Sequence, residues 1–169
     1  EKVNVSVLVD EAYINSASYQ SLMPKLLESP NLVIIQTLSK AWGMAGLRVG
    51  MAFASRSIID IFNKIKPPYN INAASQKLAL EALNNVDQVN TWIKEIVAER
   101  EKLAAVLLSL PFVLKIYPSE ANFILVKTND PKRIYNYLTD HKIIIRDRSS
   151  VTLCEGSVRI TIGTKEENK

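Results

Sequence analysis

The stretch "VNVSVLV" (3–9) is rich in valine and apolar at nearly every position, and "NLVIIQTLS" (31–39) has the same character. Runs of this kind read as strands buried on both faces, the pattern of a parallel sheet covered by helices. Parallel neighbours must be joined by a crossover, and the intervening "YQSLMPKLLESP" is long enough for a helix that makes one. A third strand is expected in "RVGMAFA" (48–54). The fold class is therefore α/β. A chain that opens almost inside a doubly buried strand, with no lead-in to cover it, is expected to be part of something longer.

Apolar residues at helical spacing in "SIIDIFNKIK" (57–66) predict a helix that "KPPYNIN" stops. Proline has no amide to donate and restricts the residue before it. This break is the expected hinge between two domains, 1–68 with a mostly parallel sheet and 69–169 of α+β type. Helices are predicted in "AASQKLALEALNN" and "QVNTWIKEIVAEREKLAAVLLSL", the second built of strong helix formers, with an apolar stripe that includes Trp92 read as core. Strands "FVLKIYP" and "NFILVKT" follow, then a helix opening on Pro131, then strands "KIIIRD" and "SVRITIG".

Several functions are disfavoured. With 47% hydrophobic and 22% charged residues the chain has the profile of a soluble globular protein. No run approaches the ~18–20 apolar residues of a membrane span, and no secretory leader is visible. One cysteine, Cys154, cannot close an internal disulfide, and with a single histidine, His141, no Cys/His metal cluster is expected. Cys154 reads as a packing residue and His141 as a surface or capping residue; a reducing cytoplasm fits. The net charge of +4 is scattered, without the basic, aromatic-interleaved patches that bind nucleic acid. A small anionic ligand is the better use of a few well-placed cations.

Ligands of open α/β sheets bind beyond the carboxyl ends of parallel strands. The first strand ends in "DEAY", offering Asp10 and Tyr13, and the second in "TLSK", offering Ser39 and Lys40. Gly43, Gly46 and Arg48 follow in "AWGMAGLRVG". Taken singly, each residue has an ordinary reading: Asp10 a turn residue, Tyr13 a half-buried aromatic, Lys40 a solvated lysine, Ser39 a cap, and Arg48, Arg146 and Arg159 members of structural ion pairs, Arg146 with neighbouring Asp147. One ligand explains them together. A carboxylate, a phenol, a hydroxyl, an amine and guanidinium groups suit an aldehyde-bearing, phosphorylated heteroaromatic cofactor.

The pair "DEAY" and "TLSKAWGMAGLRVG" resembles the fold-type I pyridoxal-phosphate (PLP) enzymes, and "YPSEANFILVK", "IIIRDRSS" and "VRITIGTKEEN" resemble their histidinol-phosphate aminotransferase branch. The likeness runs over nearly the whole chain and covers the C-terminal half of such a protein, without its final helix. It implies that Lys40 carries the cofactor covalently and acts as general acid and base. Asp10 would hold the ring nitrogen protonated, Tyr13 would donate to the ring's phenolate oxygen, and Ser39 and Arg48 would bind the phosphate. Arg159 is implied to bind the co-substrate carboxylate and Arg146 the substrate phosphate, with Asn122 lining the same crevice. Dry surroundings are expected for Lys40, and a backbone that turns and approaches closely at Gly43 and Gly46.

The implied reaction passes an amino group between L-histidinol phosphate and 2-oxoglutarate, giving imidazole acetol phosphate and L-glutamate, in histidine biosynthesis. A threonine-phosphate decarboxylase and a broad aromatic aminotransferase are the alternatives. The resemblance also implies a homodimer and a cofactor site completed by residues outside this chain, so the 169 residues alone are expected to bind PLP weakly.

Overall fold

The structure, a computed structural model, describes residues 5–169, which form two compact units divided between Trp92 and Ile93. In the first, β1 (Val7–Asp10), β2 (Leu32–Thr37) and β3 (Gly50–Ala54) form a sheet in that order. β1 and β2 run parallel, Asp10 opposite Ile35, while β3 pairs antiparallel to β2. All three predicted strands are present, the first residues of the β1 prediction lying outside the described residues.

Two expectations for this sheet are corrected. β1 is not buried on both faces: Val7 is 40% and Leu8 60% exposed, because β1 is the edge strand of the described sheet, and only β2 carries a run of buried residues, Leu32, Val33 and Ile34. The crossover is not an α-helix but two short 3-10 turns, Ile14–Ser16 and Met23–Leu27. Serine hydroxyls here bond locally instead of leaving a helical ladder to form, Ser16 donating to the Tyr13 carbonyl and Ser21 accepting from the Met23 amide. The six residues from Pro24 to Ser29 are also too few for more than a turn before Pro30.

Helix α1 (Arg56–Ile65) ends where predicted, Lys66 turning to extended backbone ahead of the two prolines. Tyr69 beyond them is in left-handed backbone, φ 56°. Helix α2 (Ala73–Ala82) opens on Asn72, whose side chain accepts from the Ser75 amide at 2.8 Å and so satisfies a first-turn donor. Helix α3 (Val86–Leu108) follows. Its inward stripe includes Val89, Ile96, Leu103 and Leu107 and also Arg100, which is buried and donates to the Ala121 carbonyl at 2.9 Å. Trp92 stands on the flank of that stripe and is 48% exposed, so its assignment to the core is corrected.

In the second unit, β4 (Val113–Tyr117), β5 (Phe123–Thr128), β6 (Arg146–Asp147) and β7 (Ser157–Thr161) form an antiparallel sheet ordered β4-β5-β7-β6. Alternate residues of β5 point inward, Ile124 and Val126 at 1% exposure, joining Ile145, Val158 and Ile162 in a core. Helix α4 (Pro131–Asp140) starts on the predicted Pro131, with Asp130 accepting from the Arg133 amide. Its end shortens the strand predicted at 142–147. The amides of Lys142 and Ile143 return to Thr139 and Leu138, and Lys142 takes φ 64°, so the chain cannot enter a ladder before Arg146. His141 is the exposed capping residue expected, its Nδ1 2.7 Å from the Tyr137 carbonyl.

Candidate active site

Asp10 closes β1 and uses one carboxylate oxygen on its own turn, Oδ1 accepting from the Ala12 amide at 2.9 Å. Two residues on, the chain enters the Ile14–Ser16 turn with Tyr13 at its head. β2, running parallel beside β1, delivers Ser39 and Lys40 two and three residues past its end. The structure thus brings the two strand ends together: the Lys40 ammonium lies over the Tyr13 ring, 5.1 Å from its centroid. A contact of this kind is worth about 0.5–1 kcal/mol at an exposed site.

The loop from Lys40 to Val49 folds on itself. The Gly43 amide donates to the Lys40 carbonyl, Met44 to Leu38, and Leu38 to Val49. Gly43 has φ +67°, a conformation that costs a residue with a Cβ about 1–2 kcal/mol, in line with the expected turn. Gly46 differs from expectation: neither its backbone nor any neighbour within 4 Å demands glycine. Arg48 is left-handed too, φ 57°, and its Nη1 donates to the Ala45 carbonyl at 3.2 Å. Ser39 shares a hydroxyl pair with Thr37 at 2.9 Å instead of capping a helix.

Asp10, Lys40 and Arg48 are all exposed, and among the described residues none has an ion-pair partner. The structural ion pair considered for Arg48 is therefore not formed. Nor does this chain alone supply the dry surroundings expected for Lys40, because the loop beside it is itself at most half-buried.

The second unit holds the other three residues. Arg159 on β7 and Arg146 on β6 stand directly opposite each other. Like charges so placed destabilise a sheet, yet no carboxylate pairs with either among the described residues. Asp147 spends its carboxylate on Ser149, accepting from the hydroxyl at 2.6 Å and the amide at 2.8 Å; these bonds, the hydroxyl first, hold its pKa below the ordinary range. The local Arg146–Asp147 pair is thus not formed. The Arg159 guanidinium lies 5.0 Å from the Phe123 ring centroid, and its buried Nε has no hydrogen-bond partner among the described residues. Asn122, half-buried, leads into β5 beside β7, its carbonyl accepting from the Ile162 amide.

Glu11, inside the quoted "DEAY", was passed over in the sequence. It is 6% exposed, and its carboxylate accepts from Ser21 Oγ, the Leu22 amide and Gln36 Nε2 at 2.6, 2.8 and 2.9 Å. Burial raises its pKa, but the bonds from Ser21, Leu22 and Gln36 outweigh burial and hold it below the ordinary carboxylate range. Nothing in the local pattern distinguishes this glutamate from a solvated one.

A family model for aminotransferase class I and II matches residues 1–169. The histidinol-phosphate aminotransferase of Cytophaga hutchinsonii is 54% identical over 163 residues, which are 96% of this chain and 47% of that protein. The chain thus spans about half the length of the curated relatives it matches. The crystal structure of histidinol-phosphate aminotransferase from Sinorhizobium meliloti in complex with pyridoxal-5'-phosphate superposes with a TM-score of 0.81 at 26% identity, over 96% of this chain and 45% of the other. The L-threonine-O-3-phosphate decarboxylase from Porphyromonas gingivalis gives a TM-score of 0.84 at 24% identity, over 95% and 51%. The α/β elements above are therefore those of a fold-type I PLP enzyme, and the chain belongs to the aminotransferase class I and II family.

Proposed function

We propose that this chain is the catalytic-lysine-bearing half of a PLP-dependent histidinol-phosphate aminotransferase. The observation that carries the reading is the Lys40 ammonium over the Tyr13 ring, with Lys40, strand-end Asp10 and loop Arg48 all exposed and none of them in an ion pair among the described residues. An amine, an acid and a guanidinium left unpaired fit a ligand bearing an aldehyde, a ring nitrogen and a phosphate. Such a cofactor, when bound, supplies an electron sink for charge that develops on the substrate carbon.

The chain's own residues then have distinct tasks. Lys40 would hold the cofactor through Nζ and, when free of it, would take and return the proton at the substrate carbon. Asp10 keeps a proton on the ring nitrogen by facing it with negative charge. Tyr13 donates from its hydroxyl to the ring oxygen. Ser39 and Arg48 bind the phosphate, arginine through its planar fork. In the second unit Arg159 takes the carboxylate of glutamate or 2-oxoglutarate, Arg146 the phosphate of histidinol phosphate, and Asn122 lines the same crevice. The working form is a cytoplasmic homodimer. Because Lys40, Asp10 and Arg48 stand in solvent, the 169 residues alone bind PLP weakly.

The test uses the full-length protein that contains this chain. PLP is added, trapped with borohydride and mapped by mass; the adduct is expected on Lys40, and an adduct elsewhere rejects the site. L-histidinol phosphate with 2-oxoglutarate is expected to yield glutamate. The fold shared with the threonine-phosphate decarboxylase of P. gingivalis favours one second reading. Carbon dioxide released from threonine phosphate, with no glutamate from either substrate, would select it.

A further inference from the structure

Every polar group of Glu11 is engaged. Its amide donates to the Ile35 carbonyl on β2 at 2.9 Å, and its carbonyl accepts from the Ile14 amide at 3.1 Å. Oε1 accepts from the Leu22 amide, and Oε2 from Ser21 Oγ and Gln36 Nε2. Ser21 Oγ is held in turn by the Met23 amide at 3.1 Å. One side chain therefore closes the segment 11–22 into a loop and fastens it to β2 at Gln36, four residues before Lys40.

These are the two segments whose separation sets the distance from Tyr13 to Lys40. The β1–β2 ladder ends at Asp10 opposite Ile35, so Tyr13 and Lys40 both lie beyond it and need another tie. The carboxylate offers acceptors only, matched to three donors. Glutamine would turn an NH2 toward at least one of them and leave a buried donor facing a donor.

We propose that Glu11 is a positioning residue for the Tyr13–Lys40 pair, binding Ser21, Leu22 and Gln36 at once so that the turn carrying the Tyr13 ring is held against the strand that delivers Lys40. The inference rests on the proposed function for the use of that pair, but the placement itself belongs to the cofactor-free protein and is measured there.

In full-length protein without PLP, labelled with 13C-lysine, the Lys40 ε-methylene is expected to show an upfield ring-current shift that Tyr13→Leu abolishes, which assigns it. Glu11→Gln is expected to remove most of that shift. With PLP and substrates it is expected to lower kcat by about 10- to 100-fold, leaving the 2-oxoglutarate KM nearly unchanged. Gln36→Met, which cuts the tie from the β2 side and keeps the Ser21 and Leu22 bonds, is expected to act in the same direction and decides the matter if Glu11→Gln does not fold. An unchanged shift in both folded variants, or in Gln36→Met alone should Glu11→Gln not fold, overturns the inference, whatever happens to kcat. A shift that responds while PLP fails to attach at Lys40 leaves the inference standing and rejects the proposed function instead.

Discussion

Each unit sets a cation on an aromatic ring, Lys40 on Tyr13 at 5.1 Å and Arg159 on Phe123 at 5.0 Å, but the settings differ. Lys40 is exposed beside an edge-bearing sheet whose only buried run lies on β2. Arg159 is partly buried on a strand between two others, next to Val158 at 1% exposure, with its Nε unpaired. The second unit thus holds its arginine on an inner strand of a sheet with a buried core. The first presents its groups on turns beyond strand ends, held by the Glu11 network.

The largest effect that can break this contrast is on turnover. In the full-length protein Lys40→Ala is expected to lower the rate by about 10²–10⁴-fold, with the thermal stability of the PLP-free protein nearly unchanged because the side chain is exposed. A melting temperature of the PLP-free protein that falls with activity would mean that Lys40 is structural. Next in size, Ile124→Ala in the second core is expected to cost about 2–5 kcal/mol, and Leu8→Ala on the β1 edge no more than about 0.5 kcal/mol, both by denaturant unfolding. If the full-length protein shows a similar cost for both, the exposed β1 face is covered there.

Smaller effects sharpen the comparison. Arg159→Lys keeps the charge and loses the fork, and is expected to raise the 2-oxoglutarate KM by about tenfold with histidinol phosphate little affected. Arg146→Gln removes a like charge from the position opposite Arg159, so ligand-free stability is expected to rise by about 0.2–1 kcal/mol; a fall would point to an anion partner within the protein. The smallest effect is the acid limb. Glu11 has a lowered folded pKa, so the unfolded chain binds its proton first as pH drops. Its stabilisation is present above the ordinary glutamate range and is lost as pH falls through the folded value. The stability gap between wild type and Glu11→Gln is therefore expected to narrow in acid, and a constant gap would show that the carboxylate's charge contributes nothing.

How far the sequence reached depended on the range of the interactions involved. β2, β5, α1 and α4 were readable because apolar period and a proline act within a few residues. The strand predicted over 142–147 kept only Arg146 and Asp147, because a helix end captured the Lys142 and Ile143 amides, a competition that a count of apolar residues does not register. Trp92 failed for another reason: a helix has several faces, and which one packs is decided by what it meets. Glu11 sat within a motif read for its neighbours, since its donors come from residues 21, 22 and 36.

The order of strands and helices, the breaks between them and the identity of the reactive side chains were set by the sequence alone, because these depend on local propensity and on which functional groups are present. The contact of Lys40 with Tyr13, the facing of Arg146 and Arg159, and the burial of Glu11 were decided only in three dimensions. Each joins residues at least 10 positions apart, and their meeting depends on strand register and loop closure, which no local pattern encodes.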